Sequence, residues 1–192
     1  MTKMLVAGVG NIFLGDDGFG VEVAKRLAAT DLPDWVQVAD YGISGMHLAY
    51  DLADGYDTAI LVDTAQRGDA PGTLTVIDAG QAARDRAQNQ VQAGGALAGS
   101  RLFDAHGMQP DVVLGVLDML GADSARVLVV GCEPASLDYS MELSEPVAKA
   151  VDEAVQVVKR LIAGTVKNIS LDDSAGAGVA DETAPPAAAA KE

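Results

Sequence analysis

The sequence predicts a three-layer α/β/α sandwich with a mostly parallel sheet of about five strands. Two observations favour this fold class. Strand and helix signals alternate along the 192 residues, which is typical of a parallel α/β sheet. In addition, Thr58–Val62 is a continuous apolar run ending at Asp63, as expected for a central strand covered on both faces. Aromatic residues make up only 4% of the chain, so the core is predicted to consist mainly of Val, Leu, Ile and Ala.

The first half of the chain contains most of the predicted sheet. Apolar patterning predicts strands at Met4–Val9, Trp35–Asp40, Thr58–Val62 and Thr73–Ile77, with helices at Gly18–Ala29 and Met46–Ala53. Only Thr64–Gly72 separates the last two strands. Because a parallel crossover needs about a dozen residues or more, these strands should be antiparallel if they are neighbours.

The second half supplies one more strand and two helices. We predict a helix at Gln109–Leu120, a buried strand at Arg126–Gly131 and a long helix at Ser144–Ala163. Ser144 can cap the long helix, and Gly164 is predicted to end it.

Residues 1–164 are predicted to form a single α/β domain. Within it, residues 78–104 are rich in Ala, Gln, Gly and Arg with weak periodicity, which indicates a long loop or a mobile helix. Residues 165–192 form an acidic tail with Ala and Pro, and this tail has too little apolar surface to pack, so we expect it to be disordered.

Composition excludes several classes of partner. The formal net charge of −15 argues against nucleic acid and anionic membrane surfaces. No apolar run approaches the ~20 residues of a membrane span, and the start lacks the pattern of a signal peptide. The single cysteine, Cys132, permits no intrachain disulfide and is expected to be a small buried residue. We therefore expect a cytoplasmic protein.

The turn after the first strand resembles a nucleotide-binding turn only at its start. Gly8 and Gly10 permit a tight turn, but Phe13 stands where a dinucleotide fingerprint has its third glycine. Asp16 and Asp17 then occupy the position at which a pyrophosphate would bind, and they would repel an anion. The turn is suited to a cation or a polar backbone rather than to NAD.

Three candidate ligand groups follow predicted strands or precede a helix. Asp16 and Asp17 come after the first strand, Asp63 ends the central strand, and His106 lies directly before a predicted helix. Ligands in open α/β sheets bind at the carboxyl ends of the strands, and a mixed carboxylate and imidazole set suits Ni²⁺ or Zn²⁺. The alternatives are an aspartate that caps a helix and a histidine that lies at the surface.

Further sequence features resemble one known family. The chain contains Gly8-x-Gly10-Asn11-x-x-x-x-Asp16-Asp17-Gly18-x-Gly20, an apolar strand ending in Asp63, Ala70-Pro-Gly-Thr73, and Asp104-Ala-His106-Gly107. Together, over about residues 3–163, these resemble the nickel–iron hydrogenase maturation endopeptidases.

The resemblance implies an endopeptidase that removes a short C-terminal extension from the hydrogenase large-subunit precursor after nickel insertion. The family's metal-contacting positions match Asp17, Asp63 and His106, which are the implied catalytic residues. The nickel would be carried by the substrate and not held permanently by the enzyme, and we expect a monomer. A water activated at the metal or by a carboxylate base could hydrolyse the bond, and the sequence leaves both mechanisms open.

Two segments depart from the family pattern. The loop Asp40-Tyr-Gly-Ile43 replaces a small-residue loop that is thought to contact the substrate in better-known members, and residues 78–104 are longer than usual. Arginines in that long segment could meet an acidic partner or simply be solvated; they are Arg84, Arg86 and Arg101. We expect His47 not to be a ligand. The competing interpretation is a non-enzymatic metal- or nucleotide-binding module.

Overall fold

The computed structural model describes residues 3–53, 55–79 and 126–175, except for the side chains of residues 166–175. Within these ranges five strands alternate with three α-helices, and a 3-10 turn at Gly15–Gly18 precedes the first helix. The elements are β1 (Met4–Val9), α1 (Phe19–Ala28), β2 (Val36–Gly42), α2 (Gly45–Ala53), β3 (Thr58–Thr64), β4 (Leu74–Asp78), β5 (Arg126–Cys132) and α3 (Glu145–Ala175). The predicted helix at Gln109–Leu120 and the predicted loop beyond Ala79 lie outside the described residues.

The five described strands form one sheet in the order β2-β1-β3-β5-β4. β1 pairs in parallel with β2 and β3, β3 pairs in parallel with β5, and β4 runs antiparallel to β5. The mostly parallel sheet of five strands is therefore confirmed. The sequence predicted β3 and β4 to be antiparallel if they were neighbours. They are not neighbours, because β5 lies between them, but β4 does run antiparallel to the other strands.

The central strands are buried along most of their length. Every residue of β1 is buried, and so are the first five residues of β3. One face of the sheet packs against α2 through the buried side chains Leu5, Ala7, Val9, Leu48, Leu52, Ala59, Leu61, Val127 and Val129. This face confirms the aliphatic core that the composition predicts.

Helix α1 packs against β1, β2 and β3. Its buried side chains Phe19, Val23 and Leu27 form one stripe of the helix. Side chains alternate across a strand, so Met4 and Val6 lie on the opposite face from Leu5 and Ala7. Helix α2 covers the face that carries Leu5 and Ala7, so both faces of the parallel sheet are covered.

The start and end of α3 differ from the prediction. The Ser144 carbonyl accepts the Ala148 N–H at 2.8 Å in the first turn, but the Ser144 hydroxyl donates to Asp16 rather than capping the helix. The helix also continues through Gly164 to Ala175. Gly164 does not adopt a positive φ, and a glycine inside a helix costs only about 1 kcal/mol, which does not end it.

The chain divides into two compact units, Met1–Lys159 and Arg160–Glu192. The first unit contains the whole sheet, and the second begins within α3. Residues 165–175, which the sequence assigned to the disordered tail, are instead helical as the last part of α3. Residues 176–192 lie outside the described residues, so their disorder stays a prediction, as does the domain boundary at residue 164.

Candidate functional site

The turn after β1 folds closely around Asp17. Gly10 has a φ of 126°, and a Cβ atom at this position would lie 1.8 Å from the Asp17 carbonyl oxygen. Only glycine fits this conformation and this approach. The same fold allows the Asn11 N–H to donate to Asp17 Oδ2 at 2.7 Å. The glycines and the aspartate of the opening motif are thus parts of one local structure.

A second glycine brings α1 close to the sheet. A Cβ atom at Gly20 would lie 2.0 Å from the Val62 carbonyl oxygen and 2.4 Å from that of Val9. The start of α1 therefore lies against the carboxyl ends of β1 and β3. This approach places Asp17 next to the end of β3, where the Thr64 hydroxyl donates to Asp17 Oδ1 at 3.1 Å.

Asp63 lies at the carboxyl end of β3, opposite Gly131 of β5. The Thr64 N–H donates to Asp63 Oδ1 at 2.7 Å. Burial raises the pKa of Asp63 to about 8, and the negative charge of Asp17 contributes to this rise, whereas hydrogen bonds from Thr64 lower the pKa. The structure therefore brings Asp17 and Asp63 together, as the sheet-edge argument predicts, with Thr64 hydrogen-bonded to both.

Asp16, which the sequence analysis also considered as a ligand, has a different environment. It is fully buried and accepts backbone N–H groups from Ala135 at 2.7 Å, Ser136 at 3.0 Å and Ser144 at 2.6 Å. The Ser144 hydroxyl also donates to it at 2.9 Å. Burial alone would raise the pKa of Asp16, but these hydrogen bonds outweigh burial and lower it. Asp16 holds the loop after β5 against the first turn.

Sequence reasoning missed Glu133, which directly follows β5 at the same edge of the sheet. Its carboxylate accepts the Arg67 N–H at 2.7 Å and the Gly68 N–H at 3.3 Å. The backbone bond from Arg67 is the main cause of a lowered Glu133 pKa. Glu133 thus fixes the loop that follows Asp63 and Thr64 at the end of β3. The signal was available, because an acid that follows a buried strand lies at the ligand-binding edge.

Of the remaining residues considered from sequence, His47 and Cys132 are described by the structure, whereas His106 and the three arginines are not. His106 lies outside the described ranges, so its metal-contacting role stays a prediction, as do the roles considered for the three arginines. His47 is exposed on α2, and Cys132 is fully buried, as expected. Among the described residues, no three His, Cys, Asp or Glu side chains form a group able to hold a metal ion.

Comparison with known proteins identifies the family. A sequence profile of the HycI family, described as hydrogenase maturation protease, matches residues 21–161. A putative hydrogenase maturation protease from Methanocaldococcus jannaschii is 34% identical over 159 residues, which cover 81% of this chain and 93% of the relative. This chain belongs to the hydrogenase maturation protease family.

Other members of the hydrogenase maturation protease family agree in sequence and fold. The hydrogenase 2 maturation protease of Escherichia coli is 30% identical over 158 residues, covering 81% of this chain and 88% of the relative. The solved structure of the maturating endopeptidase HybD from Escherichia coli matches with a TM-score of 0.65 at 26% identity, over 85% of this chain and 94% of the other. A hydrogenase 2 maturation peptidase from a Thaumarchaeota archaeon matches with a TM-score of 0.60 at 31% identity, over 84% of this chain and 99% of the other.

These likenesses confirm the family resemblance and the α/β fold. They also show a peptidase, which favours an enzyme over the competing interpretation of a non-enzymatic binding module. Among the described helices of this protease, none is long and apolar enough to cross a membrane.

Proposed function

We propose that this protease removes the C-terminal extension of a nickel–iron hydrogenase large-subunit precursor, and that it does so only after nickel has been inserted into the precursor. The observation that carries the proposal is the placement of Asp17 and Asp63 at one edge of the sheet, on a chain of the hydrogenase maturation protease family. Asp17, Asp63 and His106 are the residues proposed to contact the metal.

The electrostatics of the two aspartates support a cation at this place. With a pKa of about 8, Asp63 carries a proton near pH 7 when no metal is present. A divalent cation between the two carboxylates would favour the ionised form of both, because it replaces their repulsion with attraction. Nickel carried by the precursor would therefore strengthen binding of the adjoining peptide, and a nickel-free precursor would be held less firmly.

The precursor's nickel is thus a recognition element brought by the substrate. Two groups are candidates for activating the hydrolytic water, namely the nickel itself and a carboxylate base. The pKa of Asp63 is about 8 in the metal-free protein. Bound nickel would lower that pKa and keep Asp63 in the ionised form, which is the form that can accept a proton. His106 would complete a set of two oxygen ligands and one nitrogen ligand.

The proposal includes the setting of the reaction. The single cysteine and the absence of a membrane-crossing helix among the described residues fit a cytoplasmic enzyme acting on a newly made subunit. We further propose that the enzyme acts as a monomer, which sedimentation velocity of the purified chain would test.

A crossed experiment tests the role of nickel. The protease is treated with a chelator, freed of it, and incubated with nickel-loaded or nickel-free precursor, and the precursor mass is then measured. We expect cleavage of the nickel-loaded precursor alone, by treated and untreated protease alike. Loss of activity after chelation that zinc alone restores would instead indicate a resident zinc hydrolase and contradict the proposal.

A further inference from the structure

The turn after β1 lies beside the loop that follows β5. The Gly15 N–H donates to the Ser140 carbonyl at 2.8 Å, and the Ser140 N–H donates to the Phe13 carbonyl at 3.1 Å. Leu14 and Ser140 form a parallel β-bridge. These bonds place the backbone around Ser140 beside that of Phe13, which lies four residues before Asp17.

Several large apolar side chains of these two segments are exposed. We call the set the apolar rim; the exposed fractions are 54% for Phe13, 36% for Leu137, 91% for Tyr139 and 73% for Met141. Scattered apolar residues are common on protein surfaces, but these four lie on two segments that are hydrogen-bonded to each other, and apolar exposure concentrated in this way favours an interaction site. Tyrosine and methionine are also enriched where proteins bind one another.

The rim is held in place before any partner binds. Asp16 accepts the N–H groups of Ala135 and Ser136 at one end of the loop and that of Ser144 at the other. A loop anchored at both ends loses little conformational freedom on binding, which favours affinity. Because Asp16 directly precedes Asp17 in sequence, the same hydrogen bonds also fix the position of the loop relative to the proposed nickel contact.

Acidic residues next to the apolar rim indicate which kind of partner would bind there. Asp138 and Glu142 lie among the apolar side chains, and the sequence from Glu133 to Glu145 contains no Lys or Arg. Within the part of the chain that the structure describes, neither Asp138 nor Glu142 forms an ion pair. A complementary surface would therefore combine apolar side chains with Lys or Arg.

We propose that the apolar rim is a docking surface for the precursor protein, which binds it through an apolar segment carrying basic residues. This inference rests on the proposed function and adds a contact outside the nickel site. A second copy of this chain is a poor occupant, because a net charge of −15 on each copy would bring acidic surfaces together.

Steady-state processing of nickel-loaded precursor by variants of the rim tests the proposal. In the double variant Tyr139→Ser with Met141→Ser, we expect KM to rise at least about fivefold while kcat stays within about twofold, because the proposed metal contacts are unchanged. The matched control is Val76→Ser on β4, where a large apolar side chain is 48% exposed. The control should leave both constants unchanged.

A charge variant provides a second, independent measurement. Asp138→Asn with Glu142→Gln should raise KM at low ionic strength, and the difference from the unaltered protein should disappear as salt screens the attraction. Circular dichroism checks that all variants are folded. Sedimentation velocity shows whether any of them changes its self-association.

The outcomes separate this inference from the proposed function. Normal KM values in both rim variants, with normal cleavage by the unaltered protein, would overturn the docking surface and leave the proposed function standing. Self-association that the rim variants abolish would assign the surface to a second copy and also overturn the proposal. If the unaltered protein fails to cleave nickel-loaded precursor, the proposed function is contradicted and the docking inference fails with it.

Discussion

Asp16 and Asp17 are adjacent in sequence but have opposite surroundings. Asp16 is fully buried and receives four hydrogen bonds from the loop after β5. Asp17 is only partly buried and lies beside Thr64 and Asp63 at the edge of the sheet. An acid that is already fully hydrogen-bonded within the fold is poorly suited to bind a ligand, so Asp16 has a structural role. Asp17, which is less enclosed, is the aspartate that the proposed function places in contact with the metal.

Asp16→Asn should destabilise the fold strongly. The amide nitrogen of asparagine cannot accept the N–H groups that face it, and hydrogen bonds to a charged group contribute about 1.5–3 kcal/mol each, so we expect a loss of about 2–4 kcal/mol. Asp16 has a lowered pKa, so its contribution is present above its ordinary pKa of 3.8 and is lost as the pH falls through the lowered value. Urea denaturation of both proteins at neutral pH and at low pH measures this.

The difference between the two proteins should therefore shrink in acid. Equal stability of Asp16→Asn and the unaltered protein at neutral pH would show that the hydrogen bonds around Asp16 do not hold the loop.

Asp63→Asn should have the opposite effect on stability. Asp63 has a pKa raised to about 8, so the folded protein keeps a proton that the unfolded chain releases above its ordinary pKa of 3.8. The stability of the metal-free protein should consequently fall as the pH rises from about 4 to about 8, and the asparagine variant should lack this decrease. We expect the variant to melt several degrees higher than the unaltered protein near pH 8 and to lose processing activity.

Thermal unfolding across this pH range, with chelator present, provides the measurement. Parallel pH profiles for the two proteins would rule out an Asp63 that holds a proton near neutral pH.

At the scale of secondary-structure elements, local patterns predicted the central strands well because a strand that is buried on both faces is apolar along its length. Thr58–Val62 was predicted as a covered central strand, and each of its residues is buried. The patterns failed where an element's end depends on distant contacts or weak local signals. The Ser144 hydroxyl bonds to Asp16, which is 128 residues away, and Gly164 remains inside α3 because its backbone does not turn left-handed.

The turn between β1 and α1 should be intolerant of Gly10→Ala. The new Cβ atom would meet the Asp17 carbonyl oxygen at 1.8 Å, and a φ of 126° is unfavourable for alanine. We expect a loss of more than about 2 kcal/mol of stability, together with loss of processing, because relieving the contact displaces Asp17. Gly55→Ala is the matched control, since Gly55 also has a positive φ, of 101°, but nothing lies within 4 Å of its added Cβ atom.

The control variant should lose only about 1 kcal/mol of stability, because alanine at a positive φ is strained, and it should keep its activity. Denaturant titration and the precursor mass assay distinguish the two. Similar effects of both substitutions would mean that backbone conformation alone, and not the approach to Asp17, makes glycine necessary at position 10.

At the scale of the whole molecule, the sheet explains which parts of the site were predictable. Asp17 and Asp63 could be paired from sequence because parallel strands present their carboxyl ends at one edge. The position of Glu133 at this edge could also have been predicted, but the backbone partners of Asp16 and Glu133 could not, because sequence patterns do not bring those distant groups together. Asp16 bonds to residues at least 119 positions away, and Glu133 bonds to Arg67 across 66 positions.

The acidic chain as a whole raises the question of how a specific nickel contact differs from general attraction of cations. A net charge of −15 attracts any divalent ion, but such attraction is screened by salt and requires no proton release. Binding between Asp17 and Asp63 differs because the proton held by Asp63 must leave. The proton is present near neutral pH because the pKa of Asp63 is about 8.

We therefore expect free nickel to bind the protease weakly, with an affinity that rises with pH up to about 8 and then levels off, since deprotonation of Asp63 is complete above its pKa. Isothermal titration calorimetry in two buffers with different ionisation enthalpies counts the protons released, and close to one is expected near pH 7. Asp63→Asn should abolish the release, whereas Asp138→Asn, a surface acid of the apolar rim, should retain it. Release that persists in Asp63→Asn would place the nickel elsewhere on the acidic surface, and tight binding by the protease alone would favour a resident metal over one delivered by the substrate.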